Sequence, residues 1–476
     1  MNQQTPEQLL KELYSRFSGL YPMEMSELPP SGSYRRYFRL KNEKLSLIGT
    51  YNEDQRENIA FVEYSKHFFS KGLPVPQIYF DKLQDNIYLQ KDLGDVSLLQ
   101  FINEHNEDGK FTEATIDMYK KVLACLPRFQ IQGHEGLNYD NAYPRQAFDR
   151  QSMMWDLNYF KYYFLKLAKV PFNEQLLEDD FNTFVDFLLS ADCDQFLFRD
   201  FQSRNVMIVD NEPFFIDYQG GRQGALQYDV ASILFEAKTA IPADLREILL
   251  NYYLSELQKY KKVDKQEFVK HFYAYVFIRL MQAMGAYGFR GLYEKKTLFL
   301  QSIPKSIEHL RWLLEKIKLP IELPELSKVW KYLTESDYIV SLANKAVSLS
   351  ISINSFSYRR GIPYDASGNG GGFVFDCRGL DNPGRLEQYK LLTGKDQAVI
   401  DFLEKLPYIE SFINGIYVMV DLSIDNYAKK GYTNLMINFG CTGGQHRSVY
   451  CAERLSKHLK KKYPDIAVSL RHREQE

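Results

Sequence analysis

Cysteine is scarce. The five in 476 residues, Cys125, Cys193, Cys377, Cys441 and Cys451, are an odd number without a Cys-x-x-Cys pair, which argues against a disulfide framework and against a zinc site. Neither sign of charge dominates: 59 Lys and Arg face 61 Asp and Glu, a net charge of −2, so overall charge names no partner. Long apolar runs are missing, and the richest stretch, FYAYVFI before Arg279, is about a third of a bilayer span. The first residues, MNQQTPEQLLKELYSRF, lack the basic segment followed by an apolar one that marks a secretory signal. These absences lead to an expectation of a cytoplasmic protein without a membrane partner. No internal repeat is visible. The length allows roughly three compact units, so at least two domains are expected. What is plentiful is aromatic: 33 Phe, 34 Tyr and 3 Trp, spread along the chain as core residues are.

Thr5, Pro6 and Gln8 have the spacing of a capping box, opening a helix whose Leu9, Leu10, Leu13 and Phe17 share a face. From about 20 to 95, short alternating segments such as RYFRL and NIYLQ with one helical segment predict a small sheet plus a helix. From about 96 to 318 the pattern is helical, interrupted near 197–217 by NVMIV and FFID, two short strands around Asp210-Asn211-Glu212-Pro213. Pro320 and Pro324 break the helical texture, and 319–346 reads as a linker with a bridging helix around LSKVWKYL. Val347, Leu349, Ile351 and Ile353 then alternate as in a half-buried strand, and FVFDCR and LMINF continue an α/β unit from 347 to 476; GNGGG at 368–372 reads as a loop.

Chemistry is expected at the helical interruption. In FRDFQSRNVMIVDNEPFFIDYQ, Asp200 lies five positions before Asn205, which begins one strand, while Asp217 ends the other. Phosphoryl transfer needs a carboxylate to accept the attacking hydroxyl's proton and hard oxygen ligands for Mg²⁺, which keeps several waters and borrows phosphate oxygens. Asp200 fits the base, and Asn205 and Asp217 the ligands; isolated aspartates near strand ends more often cap turns, and it is the ordered set of three that favours chemistry.

Arg-Asp-Phe-x-Ser-Arg-Asn at 199–205, Ile-Asp-Tyr-Gln at 216–219 and Tyr-Asp-Val-Ala-Ser-Ile-Leu at 228–234 resemble the aminoglycoside phosphotransferase and choline kinase family, and most closely the kinases for the anomeric hydroxyl of N-acetylmuramate and N-acetylglucosamine. The resemblance implies a protein-kinase-like bilobal α+β domain over 1–318, with a small lobe to about 95 and a helical lobe after it, using ATP and Mg²⁺. It implies Asp200, with Arg199 beside it, as the catalytic pair, and Asn205 and Asp217 as metal ligands. The loop PSGSYRRYFRL would bring Ser31, Gly32, Ser33 and Arg35 or Arg36 to the phosphates, and the link YLQKDLGDVSL would bring backbone groups near Gln90 and Leu93 to adenine, with Asp92 and Gly94 structural. Two residues depart from the pattern. Phe198 stands where most relatives carry His, and the strand LSLIGTY offers Gly49 and Thr50 where many kinases place a phosphate-gripping lysine. Arg35, Arg36 and magnesium are then expected to compensate, with Glu57 and Glu63 as surface residues of the following helix.

LMINF followed by GCTGGQHRSVYCAERL reads as strand, glycine-rich turn and helix, which aims backbone N–H groups and a helix dipole at one spot. Glycines 440, 443 and 444 permit close approach, and His446, Arg447 and Ser448 add donors; no Gly-Lys-Ser/Thr makes it a Walker A loop. Cys441 and Arg447 also satisfy the Cys-x5-Arg spacing of cysteine phosphatases, although Gly440 stands where those usually carry His and no general-acid loop is visible. SFSYRRGIP, FVFDCRGLDNP, LTGKD, GCTGGQHRSV and SLRHRE resemble, in order, the carboxy-terminal domain of RapZ, an adaptor that senses glucosamine 6-phosphate. That likeness implies a sugar phosphate held by Thr442, Gly443, Gly444, His446, Arg447 and Ser448, with Arg359 or Arg360 reaching in. From Arg454 onward seven Lys and Arg against three Asp and Glu form a basic face; RNA is a conceivable partner, and a solvated helix face is the plainer reading.

Together these features predict an ATP-dependent phosphotransferase acting on a hydroxyl of a small sugar or amino sugar, joined to a sugar-phosphate-sensing domain. A regulatory adaptor with a weak or inactive kinase domain, binding nucleotide and sugar phosphate and conceivably RNA, is the alternative.

Overall fold

In the small lobe, strands β1 (Glu24–Glu27), β2 (Arg36–Lys41), β3 (Ser46–Tyr51), β4 (Ile78–Lys82) and β5 (Ile87–Lys91) form one antiparallel sheet in the order β1-β2-β3-β5-β4. The period of two along β2 decides what each face meets: Phe38 and Leu40 join Leu47, Ile87 and Leu89 on the outer side. Helix α1 (Pro6–Ser18) covers that side with Leu10, Leu13 and Tyr14, and opens with the expected reciprocal Thr5–Gln8 capping box. Phe17, expected on the buried face, is instead 40% exposed and lies against Tyr79 at the sheet margin. Helix α2 (Gln55–Ser70), capped by Asp54, lies on the opposite side, where Phe61 stacks on Tyr88 and on Tyr218 of the helical lobe.

The computed structural model describes residues 5–28, 35–106, 110–294, 297–336, 338–339, 349–365, 372–430, 432–464 and 466–475. By Cα proximity the chain divides into two units, Met1–Lys295 with Ser302–Ile339, and Lys296–Gln301 with Val340–Glu476. The first is bilobal and protein-kinase-like. Its helical lobe includes α3 (Leu98–His105), α4 (Glu113–Pro127), α5 (Arg150–Phe160), α6 (Glu174–Leu189), α7 (Gln227–Leu234), α8 (Ala243–Leu257), α9 (Lys265–Tyr287) and α10 (Ile303–Lys316). Two short antiparallel pairs interrupt the helices: β6 (Gln195–Leu197) with β9 (Arg222–Gly224), and β7 (Val206–Val209) with β8 (Glu212–Phe215). Part of the stretch expected as a linker packs on this lobe as α11 (Pro324–Glu335): Leu326 N donates to Asp180 of α6 at 2.7 Å, Asn173 N donates to Glu325, and Trp330 stacks on Phe277 of α9 at 4.3 Å.

The second unit is α/β. Strands β10 (Ser350–Ser357), β11 (Gly372–Asp376), β12 (Asn434–Cys441) and β13 (Ala467–His472) form a wholly parallel sheet in the order β11-β12-β10-β13. Helices α12 (Gln397–Glu404), α13 (Ile409–Lys430) and α14 (Arg447–Lys462) supply Val399, Ile413, Val420 and Leu455 to its core. The expected alternation is present at Leu349, Ile351 and Ile353, all buried; Val347 lies outside the described residues. Among the described residues no helix is long and apolar enough to cross a membrane.

Candidate functional site

The β7–β8 hairpin turns through Asp210 and Asn211, both left-handed with φ of 51° and 61°, as a two-residue hairpin turn requires. Its last pair is Val206 with Phe215, so the residues just outside the ladder meet: Ile216 N donates to the Asn205 carbonyl at 3.0 Å. Asn205 therefore precedes β7 by one residue and Asp217 follows β8 by two, both just beyond the strand positions expected for them. The Asn205 Nδ2 donates to Asp217 Oδ2 at 3.1 Å and to the Asp200 carbonyl at 2.8 Å. One amide thus gathers all three expected residues. Burial, and next the neighbouring Asp200, push the Asp217 carboxyl above its ordinary range. A raised carboxyl next to a second carboxylate is an environment that a cation would relieve.

The loop carrying Asp200 is held from behind. Asp229 of α7, fully buried, accepts the backbone N–H of Phe198 at 2.8 Å and of Arg199 at 3.0 Å, and burial still pushes its carboxyl up to about 7. Phe198 fills the expected histidine's place with a ring packed edge-on against Phe129, Phe201 and Tyr218, so apolar contact replaces a polar anchor. Arg199, expected as a catalytic partner, has a structural post instead. At φ 79° it directs both Nη atoms to Asp156 of α5, at 2.8 and 2.7 Å, and also donates to Tyr228 Oη, so its charge is already matched.

Toward the small lobe, Gln219 Nε2 donates to Asp217 Oδ1 at 2.7 Å and reaches Glu57 at 3.4 Å. Glu57 is thus no surface residue: its Oε1 lies 3.0 Å from Arg35 Nη2, and its Oε2 accepts from Asn52 at 2.8 Å. Arg36 leaves the site altogether, pairing with Glu7 and Glu27 on the outer side, because neighbours in a strand face opposite ways. Ser31, Gly32 and Ser33 lie outside the described residues. Gln90 sits within β5, flanked by β3 and β4, so its backbone groups serve the sheet. Asp92 clamps that turn, accepting from Arg39, Ser46 and Gly94 N; these contacts outweigh burial and hold its carboxyl below the ordinary range.

In the second unit the glycine-rich turn is tightly built. Gly444 N donates to Cys441 Sγ at 3.2 Å, and Ser448 Oγ lies 3.1 Å from the same sulfur. Three of the expected phosphate donors are used internally. His446 Nε2 meets the Tyr389 carbonyl at 2.8 Å, Arg447 Nη1 donates to the carbonyls of Arg378 and Leu380 at 3.0 and 2.8 Å, and Ser448 is fully buried on Cys441. Thr442, Gly443, Arg359 and Arg360 remain on the surface around the turn, with Arg360 Nε 3.1 Å from Glu474. Arg447 Nη1 is therefore committed to backbone carbonyls, which weighs against the phosphatase reading. Gly394 of the LTGKD loop explains that motif: a Cβ there would come within 2.2 Å of the His446 carbonyl, so the loop braces the helix start.

Gly444 has φ 68°, and a Cβ on it would meet Glu474 Cγ at 2.3 Å and Ser357 N at 2.9 Å. A Gly444→Ala protein is expected to lose about 1–3 kcal/mol of stability in this unit, read as a lower thermal unfolding midpoint. An unchanged midpoint would show that the turn accommodates the methyl group.

The model of the phosphotransferase enzyme family matches residues 27–264, half of the chain. The chain belongs to the phosphotransferase enzyme family. Residues 349–476 match the RapZ C-terminal domain, so a phosphotransferase-family domain is fused to a RapZ-like one. A nucleotide-binding protein of Hahella chejuensis is 34% identical over 186 residues, which cover 38% of this chain and 61% of that protein. One from Thermotoga sp. strain RQ2 is 39% identical over 120 residues, 25% of this chain and 41% of that protein. The chain thus spans between about two fifths and three fifths of these relatives. Among solved structures, amicoumacin kinase hAmiN in complex with AMP-PNP, Ca2+ and Ami aligns at TM-score 0.42 and 12% identity, over 70% of this chain and 94% of that one. Choline kinase LicA from Streptococcus pneumoniae aligns at 0.40 and 13%, over 72% and 97%.

Four residues of the phosphotransferase site had no sequence reading. Gln219 and Asp229 stand inside recognisable motifs, whereas Asp156 and Arg222 carry no local signal. Arg222, 6% exposed, donates to the Gly220 carbonyl at 2.9 Å; burial and the nearby Arg199 press its pKa down to about 10.

Proposed function

We propose that the first domain, residues 1–318, transfers the γ-phosphoryl group of ATP to a hydroxyl of a small sugar or amino sugar, with an anomeric hydroxyl as the favoured acceptor. The observation that carries this reading is Asn205 donating to both Asp200 and Asp217. Asp200 accepts the proton of the attacking hydroxyl. The donor set fits Mg²⁺: Asp217 and the Asn205 Oδ1, which accepts from no described residue, are hard oxygens, and among the described residues no cluster of three or more His, Cys, Asp and Glu makes a dedicated cage. Asn205 and Asp217 would hold the ion, which supplies charge neutralisation on the phosphates. Catalysis then rests on positioning, and Asp229, Arg199 and Asp156 supply it by fixing the loop that carries Asp200.

The second domain, residues 347–476, binds a sugar phosphate at the surface ringed by Thr442, Gly443, Arg359 and Arg360, and this regulates the first. The test is ADP release by the full chain with MgATP and a panel of amino sugars, with and without glucosamine 6-phosphate. Sugar-dependent release lost in Asp200→Asn is the expected result. No release with any sugar would shift the assignment to a nucleotide- and sugar-phosphate-binding adaptor.

A further inference from the structure

Of the two strand positions available for the missing lysine, only one faces the cleft. A Cβ on Gly49 would meet Leu40 and Leu10 at 2.8 and 2.9 Å, beneath α1, so a side chain there has no room and points away from the nucleotide. Thr50 pairs with Tyr37 on one side and Tyr88 on the other, and is fully buried. Alternation along β2 puts residues 35 and 37 on this same side, so Arg35 arrives beside Thr50 from the neighbouring strand. Arg35 is 3% exposed, with its guanidinium 5.6 Å from the Phe61 ring.

Its polar atoms are not spoken for. Nη2 is 3.0 Å from Glu57 Oε1 but off the N–H axis, Nη1 makes only a 3.5 Å contact with Tyr37 Oη, and neither Nε nor Nη2 has a hydrogen-bond partner. Gln219 Oε1, next along the same chain of contacts, is also buried without a partner. Buried polar atoms are nearly always paired, so the two guanidinium N–H orphans point to an acceptor such as a phosphate oxygen, and the Gln219 oxygen to a donor such as a metal-bound water. Through Glu57 and Gln219 the cation is tied to the carboxylate that would hold magnesium, a charge pattern suited to a polyphosphate.

We infer that Arg35 does the work of the absent strand lysine: paired with Glu57 of α2, it grips the phosphates of ATP from β2 rather than from β3. This rests on reading the domain as an ATP-dependent phosphotransferase. Glu57 orients the guanidinium through an ion pair, and Gln219 links Glu57 to Asp217 by hydrogen bonds, so phosphate and metal sites are set by one polar series, Arg35–Glu57–Gln219–Asp217–Asn205.

The test is calorimetric titration of the full chain with MgATP and no acceptor, which makes the identity of the sugar irrelevant. Arg35→Gln is expected to weaken binding roughly 10- to 100-fold, the value of one or two charge-assisted hydrogen bonds. Arg36→Gln, which alters a cation directed to Glu7 and Glu27, is expected to bind as the parent does. Adding Thr50→Lys to Arg35→Gln is expected to restore much of the affinity by returning a cation to β3. Equal MgATP affinity in parent and Arg35→Gln overturns the inference. No binding by the parent overturns the phosphotransferase reading and this inference with it. If Arg35→Gln does not fold, as judged by circular dichroism, Arg35→Met carries the test: it keeps the apolar stem but removes the charge, and binding unchanged from the parent overturns the inference equally.

Discussion

Replacing Asp217 with alanine is expected to lower turnover by roughly 1,000-fold or more. The carboxylate receives Asn205 Nδ2 on one oxygen and Gln219 Nε2 on the other, so its loss strands two donors and removes one of the two hard ligands proposed for magnesium. Asp200→Asn is expected to cost about 100- to 10,000-fold, the range for a lost general base, while leaving MgATP affinity nearly unchanged. The two variants thus separate in binding: Asp217→Ala weakens the magnesium dependence of nucleotide affinity, and Asp200→Asn does not. Steady-state ADP release and calorimetry on the same preparations read both. An Asp217→Ala protein with full magnesium-dependent turnover would falsify the assignment of the metal site.

Asp229→Ala is expected to produce the largest loss of stability and, through it, a second loss of activity. Two backbone N–H groups, the buried one of Phe198 and the half-buried one of Arg199, would be left without an acceptor, at up to about 1–3 kcal/mol each. The effect depends on pH with a definite sign. The Asp229 carboxyl is raised by burial from its ordinary 3.8 to about 7, so the folded state holds a proton that the unfolded chain releases first. Stability of the parent therefore falls, through this group, as pH rises from about 4 to 7, and is constant above. Alanine removes that dependence. The deficit of Asp229→Ala in unfolding free energy is expected to be larger at pH 5 than at pH 8, by ~2–3 kcal/mol. A deficit independent of pH, measured by chemical denaturation at both values, would mean that Asp229 is ionised in the folded protein throughout. Turnover should fall with it, because Asp200 adjoins the two pinned residues.

Much of the site can be read along the chain because its parts are close in sequence. Asp200, Asn205 and Asp217 span one turn and one hairpin, and hairpin geometry brings the ends of such a segment together whatever surrounds it. The glycine-rich turn is likewise local, a strand end followed directly by a helix start. The capping box of α1 and the alternation opening β10 are local signals of the same kind.

Contacts across long separations were a different matter. Arg35 and Arg36 are adjacent and chemically alike, yet one faces Glu57 and the other Glu7 and Glu27; the register of β2 in its sheet assigns them, and no property of the pair does. Glu57 looks like a surface residue because a helix placed alone would expose it, and only packing of α2 against the sheet and the second lobe encloses it. Arg199 and Arg447 resemble reactive cations in their motifs, and each is matched by groups far away along the chain: Asp156 for the first, the carbonyls of Arg378 and Leu380 for the second. The sequence by itself therefore determined which chemical groups this protein brings to each site and the local turns that present them. Tertiary structure alone decided which of those groups stay free to meet a ligand, because a buried charge is committed by whichever partner the fold places beside it.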